Sequence, residues 1–174
     1  YMAQDSFDSS AAKAQLARMC DAISYRGPDD YGYWIDPTKK IGFGHRRLSI
    51  LDLSTMGSQP MRSHSSRWVI IFNGEIYNHL ELRSKLVGQD REPDWRGYSD
   101  TETLLAAFDA WGVDKTLSLC VGMFAMAIWD LENLELTLVR DRFGEKPLYY
   151  GWVGDCGKKT FVFGSDLNAI KQFK

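Results

Sequence analysis

Apolar residues recur along this chain at two different spacings, and each spacing predicts a different kind of element. Leu16, Met19, Cys20 and Ile23 follow the i, i+3, i+4, i+7 interval of one helical face, with Ser9 or Ser10 as the cap. "YRGPDDYG" (25–32) ends that helix, because Gly-Pro-Asp cannot continue it. Short strands are predicted at 31–35, 41–45, 48–53 and 67–72, with residues 54–66 a loop by composition. The last of these apolar runs meets Asn73-Gly74, the dipeptide of tight turns, and then continues as Glu75-Ile76-Tyr77-Asn78. Asn78 and Glu81 read as an N-cap and capping box, and Leu80, Leu82, Leu86 and Val87 share one broad side of the helix that follows. The pattern therefore predicts a sharp strand-to-helix corner at Asn73-Gly74, with an amide and a carboxylate beside it. A further helix starts at Ser99-Asp100 with Ser99 and Glu102 as its box, buries Leu104, Leu105, Phe108 and Trp111, and stops at Gly112. Beyond it the pattern is all strand: a hairpin of 123–131 with 134–141, then one of 147–153 with 160–166. Tyr1 to Ser10 carry no apolar strand, and no internal repeat or low-complexity tract is visible.

Antiparallel strands with a few segregated helices predict an α+β fold, not a doubly wound parallel sheet. Composition agrees, with 44% apolar, 13% aromatic and 25% charged residues. The net charge of −2 is spread over scattered side chains, which argues against a nucleic-acid footprint or a membrane-surface patch. The longest apolar run, Leu119 to Trp129, is well short of the roughly 18 residues of a membrane span. Cys20, Cys120 and Cys156 are odd in number and widely spaced, which predicts buried free thiols and a cytoplasmic setting. No GxGxxG or P-loop occurs, so no nucleotide site is expected within these residues.

Polar residues gather where apolar strands end. Asn73-Gly74 suits a plain turn, but its amide and backbone N–H could also converge as an oxyanion hole for acyl transfer. Arg47 suits an ion pair with Asp52 or Glu75, or alternatively a bidentate clamp on a ligand carboxylate. Asp100 suits a helix cap, or a pair with Glu75 around an ammonium group. His45, His64 and His79 lack metal-ligand spacing, so no metal site is expected. "RDRFGEKPLYY" (140–150) reads as a buried ion-pair corner beside a hairpin.

Taken together and in order, "YRGPDDYG", "GHRRLSILDLS", "VIIFNGEIYNHLEL", "SDTETLLAAFDAWG", "GMFAMAIWD" and "VRDRFGEKPLYYG" are far more specific. From about residue 13 to 172 the chain closely resembles the glutaminase domain of glutamine-hydrolysing asparagine synthases, a class II amidotransferase of the N-terminal nucleophile (Ntn) hydrolase type. The resemblance implies a four-layer αββα sandwich of two mostly antiparallel sheets. It implies a glutamine pocket in which Arg47 holds the α-carboxylate and the backbone of Leu48, Ser49, Ile50 and Leu51 forms a wall. Asn73 and Gly74 would supply the oxyanion hole, and Glu75 with Asp100 the ammonium site. Arg26 would buttress the nucleophile end. It implies glutamine and a C-terminal synthetase domain as partners, with ATP and Mg²⁺ in that second domain and no cofactor in this one. A homodimer is compatible with it, and the amide acceptor, aspartate or another carboxylate, stays open.

One departure matters. The family begins with Cys-Gly-Ile on a central strand, whose thiol attacks the amide while its α-amino group acts as base. No cysteine stands in Tyr1 to Ser10, and Cys20 lies on a predicted helix. The preferred expectation takes 1–174 as a single type-2 glutamine amidotransferase domain, cut short before its nucleophile strand and ahead of a synthetase domain. The chain as given is then expected to be inactive. The alternative is a non-catalytic pseudo-glutaminase kept as a ligand-binding or structural module. A lesser departure is Asp166, where the family usually has Glu, which touches contacts to a following domain.

Overall fold

The computed structural model describes residues 1–3, 8–49, 54–154 and 159–173. In chain order the elements are β1 (Met2–Ala3), α1 (Ser9–Asp21), β2 (Asp30–Asp36), β3 (Ile41–Arg47), β4 (Met61–Arg62), β5 (Trp68–Ile76), α2 (His79–Val87), α3 (Asp100–Trp111), α4 (Val113–Leu119), β6 (Gly122–Asp130), β7 (Glu135–Arg140), β8 (Tyr149–Val153), β9 (Thr160–Gly164) and α5 (Leu167–Ile170). They fall into two compact units, Tyr1–Leu48 with Pro147–Lys174, and Ser49–Lys146. Each contains one antiparallel sheet with helices packed on it, so the fold is α+β.

The first unit has a five-stranded sheet in the order β2-β3-β1-β9-β8. Its core joins Leu16 and Met19 of α1 to Val162 of β9 and Ala169 of α5, with Phe43 set edge-on against Phe163. Here the sequence expectation of no strand ahead of the first helix is corrected. Met2 and Ala3 lie in the sheet centre, Met2 opposite both Ile41 and Phe161. A two-residue strand has no period of its own to detect; neighbours on both sides define it.

The second unit has a four-stranded sheet in the order β4-β5-β6-β7. Ile70, Phe72 and Ile76 of β5, Leu104, Leu105 and Phe108 of α3, and Met126 and Ile128 of β6 form its core. The predicted corner at Asn73-Gly74 is also corrected. β5 runs on to Ile76, paired residue by residue with β6, and the chain turns only at Tyr77 and Asn78. Glycine makes that pairing close. A Cβ on Gly74 would stand 2.1 Å from Met123 O, and one on Gly122 would stand 2.1 Å from Glu75 O.

Several smaller expectations change. Asn78 does not cap α2: its Nδ2 donates to Leu119 O at 2.9 Å and its Oδ1 accepts from Val121 N–H at 2.9 Å. Only Leu82 and Leu86 of the predicted face are buried, while Leu80 and Val87 are exposed. α4 and β4 were not expected; both are short, and β4 sits inside the predicted loop. Leu48 and Ser49 are not strand, and 50–53 lie outside the described residues. The two hairpins, β6–β7 and β8–β9, form where the alternation predicts them.

Candidate functional site

In an antiparallel strand, backbone N–H groups point alternately to the two sides. Tyr77 N–H reaches Val121 O at 2.8 Å on the β6 side, so odd-numbered residues near the end of β5 face β6. Even-numbered residues face the opposite edge, which β4 covers only as far as Ile70. Past that point side chains take over. Phe72 N–H donates to Gln59 Oε1 at 2.6 Å, and Ile76 N–H donates to Asp100 Oδ2 at 2.9 Å. Gly74 N–H points to the same edge midway between them, and no described residue accepts from it.

Beside it stands the Asn73 side chain. Its Nδ2 is buried and finds no hydrogen-bond partner among the described residues. Leaving such a donor unsatisfied costs about 1–3 kcal/mol, so a folded chain that keeps one has a use for it. An amide N–H₂ and a backbone N–H on adjacent residues can bind one oxygen that carries negative charge.

Asp100 opens α3, and Ser99 caps that helix by accepting from Glu102 N–H at 3.2 Å, as predicted. The other half of the box is absent: the Glu102 carboxylate instead accepts from the N–H groups of Arg96 at 2.8 Å and Gly97 at 3.0 Å. Asp100 is not the cap. It is 5% exposed, and burial pushes its carboxyl above the ordinary value; the Ile76 N–H pulls it down, and the Glu75 charge adds to the rise. Burial likewise lowers His79, against the pull of Asp100 and Glu75. His79 Nδ1 is buried and without a partner among the described residues. Asp100, Glu75 and His79 thus share one electrostatic neighbourhood, which the Arg83 charge also reaches.

The structure therefore brings together Asn73, Gly74, Glu75 and Asp100. Arg47 belongs to the first unit, where it ends β3 opposite Asp30 and is 9% exposed. Leu48 is exposed and Ser49 half-buried, while Ile50, Leu51 and Asp52 lie outside the described residues. Arg26 donates from Nη1 to Ser165 O at 2.8 Å and Asp166 Oδ2 at 3.4 Å, so the shorter Asp166 still finds a cation. Gln59, Thr101 and His79 were missed as contributors. Gln59 sits in a stretch that composition marks as loop, and an amide before a proline carries no signal for burial. The predicted ion-pair corner at 140–150 is corrected too. Asp141 is held by backbone N–H groups of Phe124, Phe143, Glu145 and Lys146. Burial pushes its carboxyl up, but these donors outweigh burial and hold it at about 2.

Cys20 and Cys120 are buried, and burial pushes both thiols up to about 11, which suits packing groups and not nucleophiles. Cys156 lies outside the described residues. No described helix is long and apolar enough to cross a membrane.

A family model described as a glutamine amidotransferase domain matches residues 3–174. Asparagine synthetase [glutamine-hydrolyzing] 2 of Bacillus subtilis is 41% identical over 155 residues, 89% of this chain and 19% of its own length. A putative asparagine synthetase [glutamine-hydrolyzing] 2 of Methanocaldococcus jannaschii is 36% identical over 97% of this chain and 34% of its own length. The chain thus spans about a fifth to a third of these relatives. Among solved structures, glutamine phosphoribosylpyrophosphate amidotransferase from B. subtilis, complexed with ADP and GMP, superposes with a TM-score of 0.75. That match covers 93% of this chain and 41% of the other at 21% identity, a likeness of fold. With a family model spanning nearly all its residues and relatives near 40% identity, this chain belongs to the glutamine amidotransferase domain family.

Proposed function

We propose that in its intact protein this domain hydrolyses glutamine to glutamate and ammonia and feeds the ammonia to an ATP-dependent synthetase part. The observation that carries the reading is the buried Asn73 Nδ2, without a partner among the described residues, next to a Gly74 N–H that no described residue meets. A thiolate adding to the side-chain carbonyl of glutamine turns its oxygen into an oxyanion, and these two donors take that charge. The C–N bond then breaks, ammonia leaves with a proton, and water releases glutamate from the thioester. Asp100 and Glu75 hold the substrate ammonium. Arg47 is assigned the α-carboxylate, for which a guanidinium fork is better shaped than an ammonium. β1 has the central place in its sheet that the resemblance gives to the nucleophile's strand, but it holds no cysteine, so the attacking thiol is taken from the resemblance alone. The relatives named asparagine synthetases support the synthetase partner and an aspartate-like acceptor.

Calorimetric titration of the intact protein with glutamine, paired with an ammonia assay, tests the reading. Saturable binding with ammonia release is expected, and Arg47→Lys should weaken the binding. Binding without release would point instead to a ligand-binding pseudo-glutaminase. Equal affinity in Arg47→Lys would remove the clamp, and no binding at all would overturn the site.

A further inference from the structure

β4 leaves β5 after Ile70, so among the described residues no strand meets the Phe72 N–H. The Gln59 side chain, 9% exposed, takes the strand's place through Oε1 at 2.6 Å. That contact fixes which way the amide points, because only the oxygen can accept. Nε2 then faces the other way and donates to Thr101 Oγ1 at 3.4 Å. The Thr101 hydroxyl, on a residue only 3% exposed, donates to Asp100 Oδ1 at 3.5 Å, while Asp100 Oδ2 accepts from Ile76 N–H at 2.9 Å. The circuit closes on itself. Phe72 and Ile76, which bracket Asn73-Gly74-Glu75, are both tied to the first turn of α3, one through Gln59 and Thr101, the other directly. The outer contacts are short and firm; the two around the Thr101 hydroxyl are long, which makes that hydroxyl the adjustable joint.

We infer that Gln59, acting through Thr101, is a positioning residue for the oxyanion donors. It sets where Gly74 N–H and the Asn73 amide stand relative to the Asp100 carboxylate. The inference rests on the reading above that these groups bind glutamine. Gln59 itself touches no substrate. Oxyanion donors must lie within about 2.7–3.1 Å of the developing oxygen, and a shift of about 1 Å costs on the order of 10²-fold in rate. Ion pairs to the ends of the substrate are less sensitive to such a shift. Loss of the circuit should therefore appear in kcat and not in KM.

The test compares Gln59→Leu, Thr101→Val and Thr101→Ser in the intact protein, by glutaminase kinetics and thermal unfolding. Gln59→Leu is expected to lower kcat by about tenfold or more with KM within about threefold. Thr101→Val keeps the shape and removes the hydroxyl, so it should lower kcat several-fold while Thr101→Ser restores it. Should Gln59→Leu fail to fold, the Val and Ser pair decides alone. If Thr101→Val and Thr101→Ser both match the wild type, or if kcat falls only in step with Tm, the positioning role is overturned. A wild type that neither binds nor hydrolyses glutamine would be a different failure, that of the glutamine site itself.

Discussion

Asn73 and Asp100 are each costly to the fold, and each cost can be measured. Asp100 is a carboxyl whose burial raises its pKa above the ordinary 3.8. A ligand ammonium stabilises the charged form, so binding must drive off a proton when the pH is near that raised value. Glutamine affinity is therefore expected to weaken on acidification earlier than an ordinary carboxylate would allow. Asp100→Asn should lose both the affinity and its pH dependence. Calorimetry in buffers of different ionisation enthalpy reads the proton directly, and an affinity flat down to the ordinary carboxylate range would contradict the assignment. Gly74 is constrained more simply. A methyl there would stand 2.1 Å from Met123 O and 2.7 Å from Phe124 Cα, both backbone atoms. Gly74→Ala should cost about 1–3 kcal/mol or more by overpacking, read as a lower urea midpoint. An unchanged midpoint would mean that β5 and β6 separate there at little cost.

At the scale of elements, the second unit hangs on how β5 ends. Asn78 bridges Leu119 O and Val121 N–H, so it ties the start of α2 to the junction of α4 and β6. Asn78→Ala is expected to destabilise by about 1 kcal/mol or more, since it leaves the part-buried Leu119 O unpaired and gives the exposed Val121 N–H back to water. A capping role would cost roughly as much but would be rescued by Ser or Asp, which cannot make both bridges. Rescue by either would contradict the bridge. This is also where the sequence misleads. Asn-Gly followed by Glu-Ile-Tyr-Asn reads locally as a turn and a cap, because those are the conformations these residues favour in isolation. The ladder of β6 overrides that preference, and Gly74 serves close approach, not turning. Where the pattern is long it finds the element, as for α1, α3 and both hairpins, although Asp8 and not Ser9 or Ser10 caps α1, and Ile23 falls beyond its end. Where a residue acts through a partner far along the chain it does not. Gln59 meets Phe72 and Thr101 across 13 and 42 positions, and no local spacing encodes that. The residues Asn73, Gly74, Glu75 and Asp100 were legible as a set only through their motifs in order; the circuit that holds them was not.

For the molecule as a whole, acid is the informative perturbation. Asp130 pairs with Arg67 at 2.7 Å, and Asp141 sits among backbone N–H groups. Burial raises both carboxyls, but their donors win and hold each at about 2, below the ordinary 3.8. A folded pKa below the unfolded one gives stability that is complete above 3.8 and lost as the pH falls towards about 2. These two groups should therefore make thermal stability drop within that window. Asp130→Asn and Asp141→Asn should each flatten the drop, and a curve unaffected by either would place the acid-sensitive groups elsewhere. The most direct test of the central claim is the kcat of Asn73→Ala in the intact protein, measured beside its unfolding free energy. Among the described residues the Asn73 Nδ2 has no partner to lose, so stability should hold or rise while glutamine turnover falls by about 10²–10³-fold. Turnover equal to the wild type would contradict the oxyanion role of Asn73.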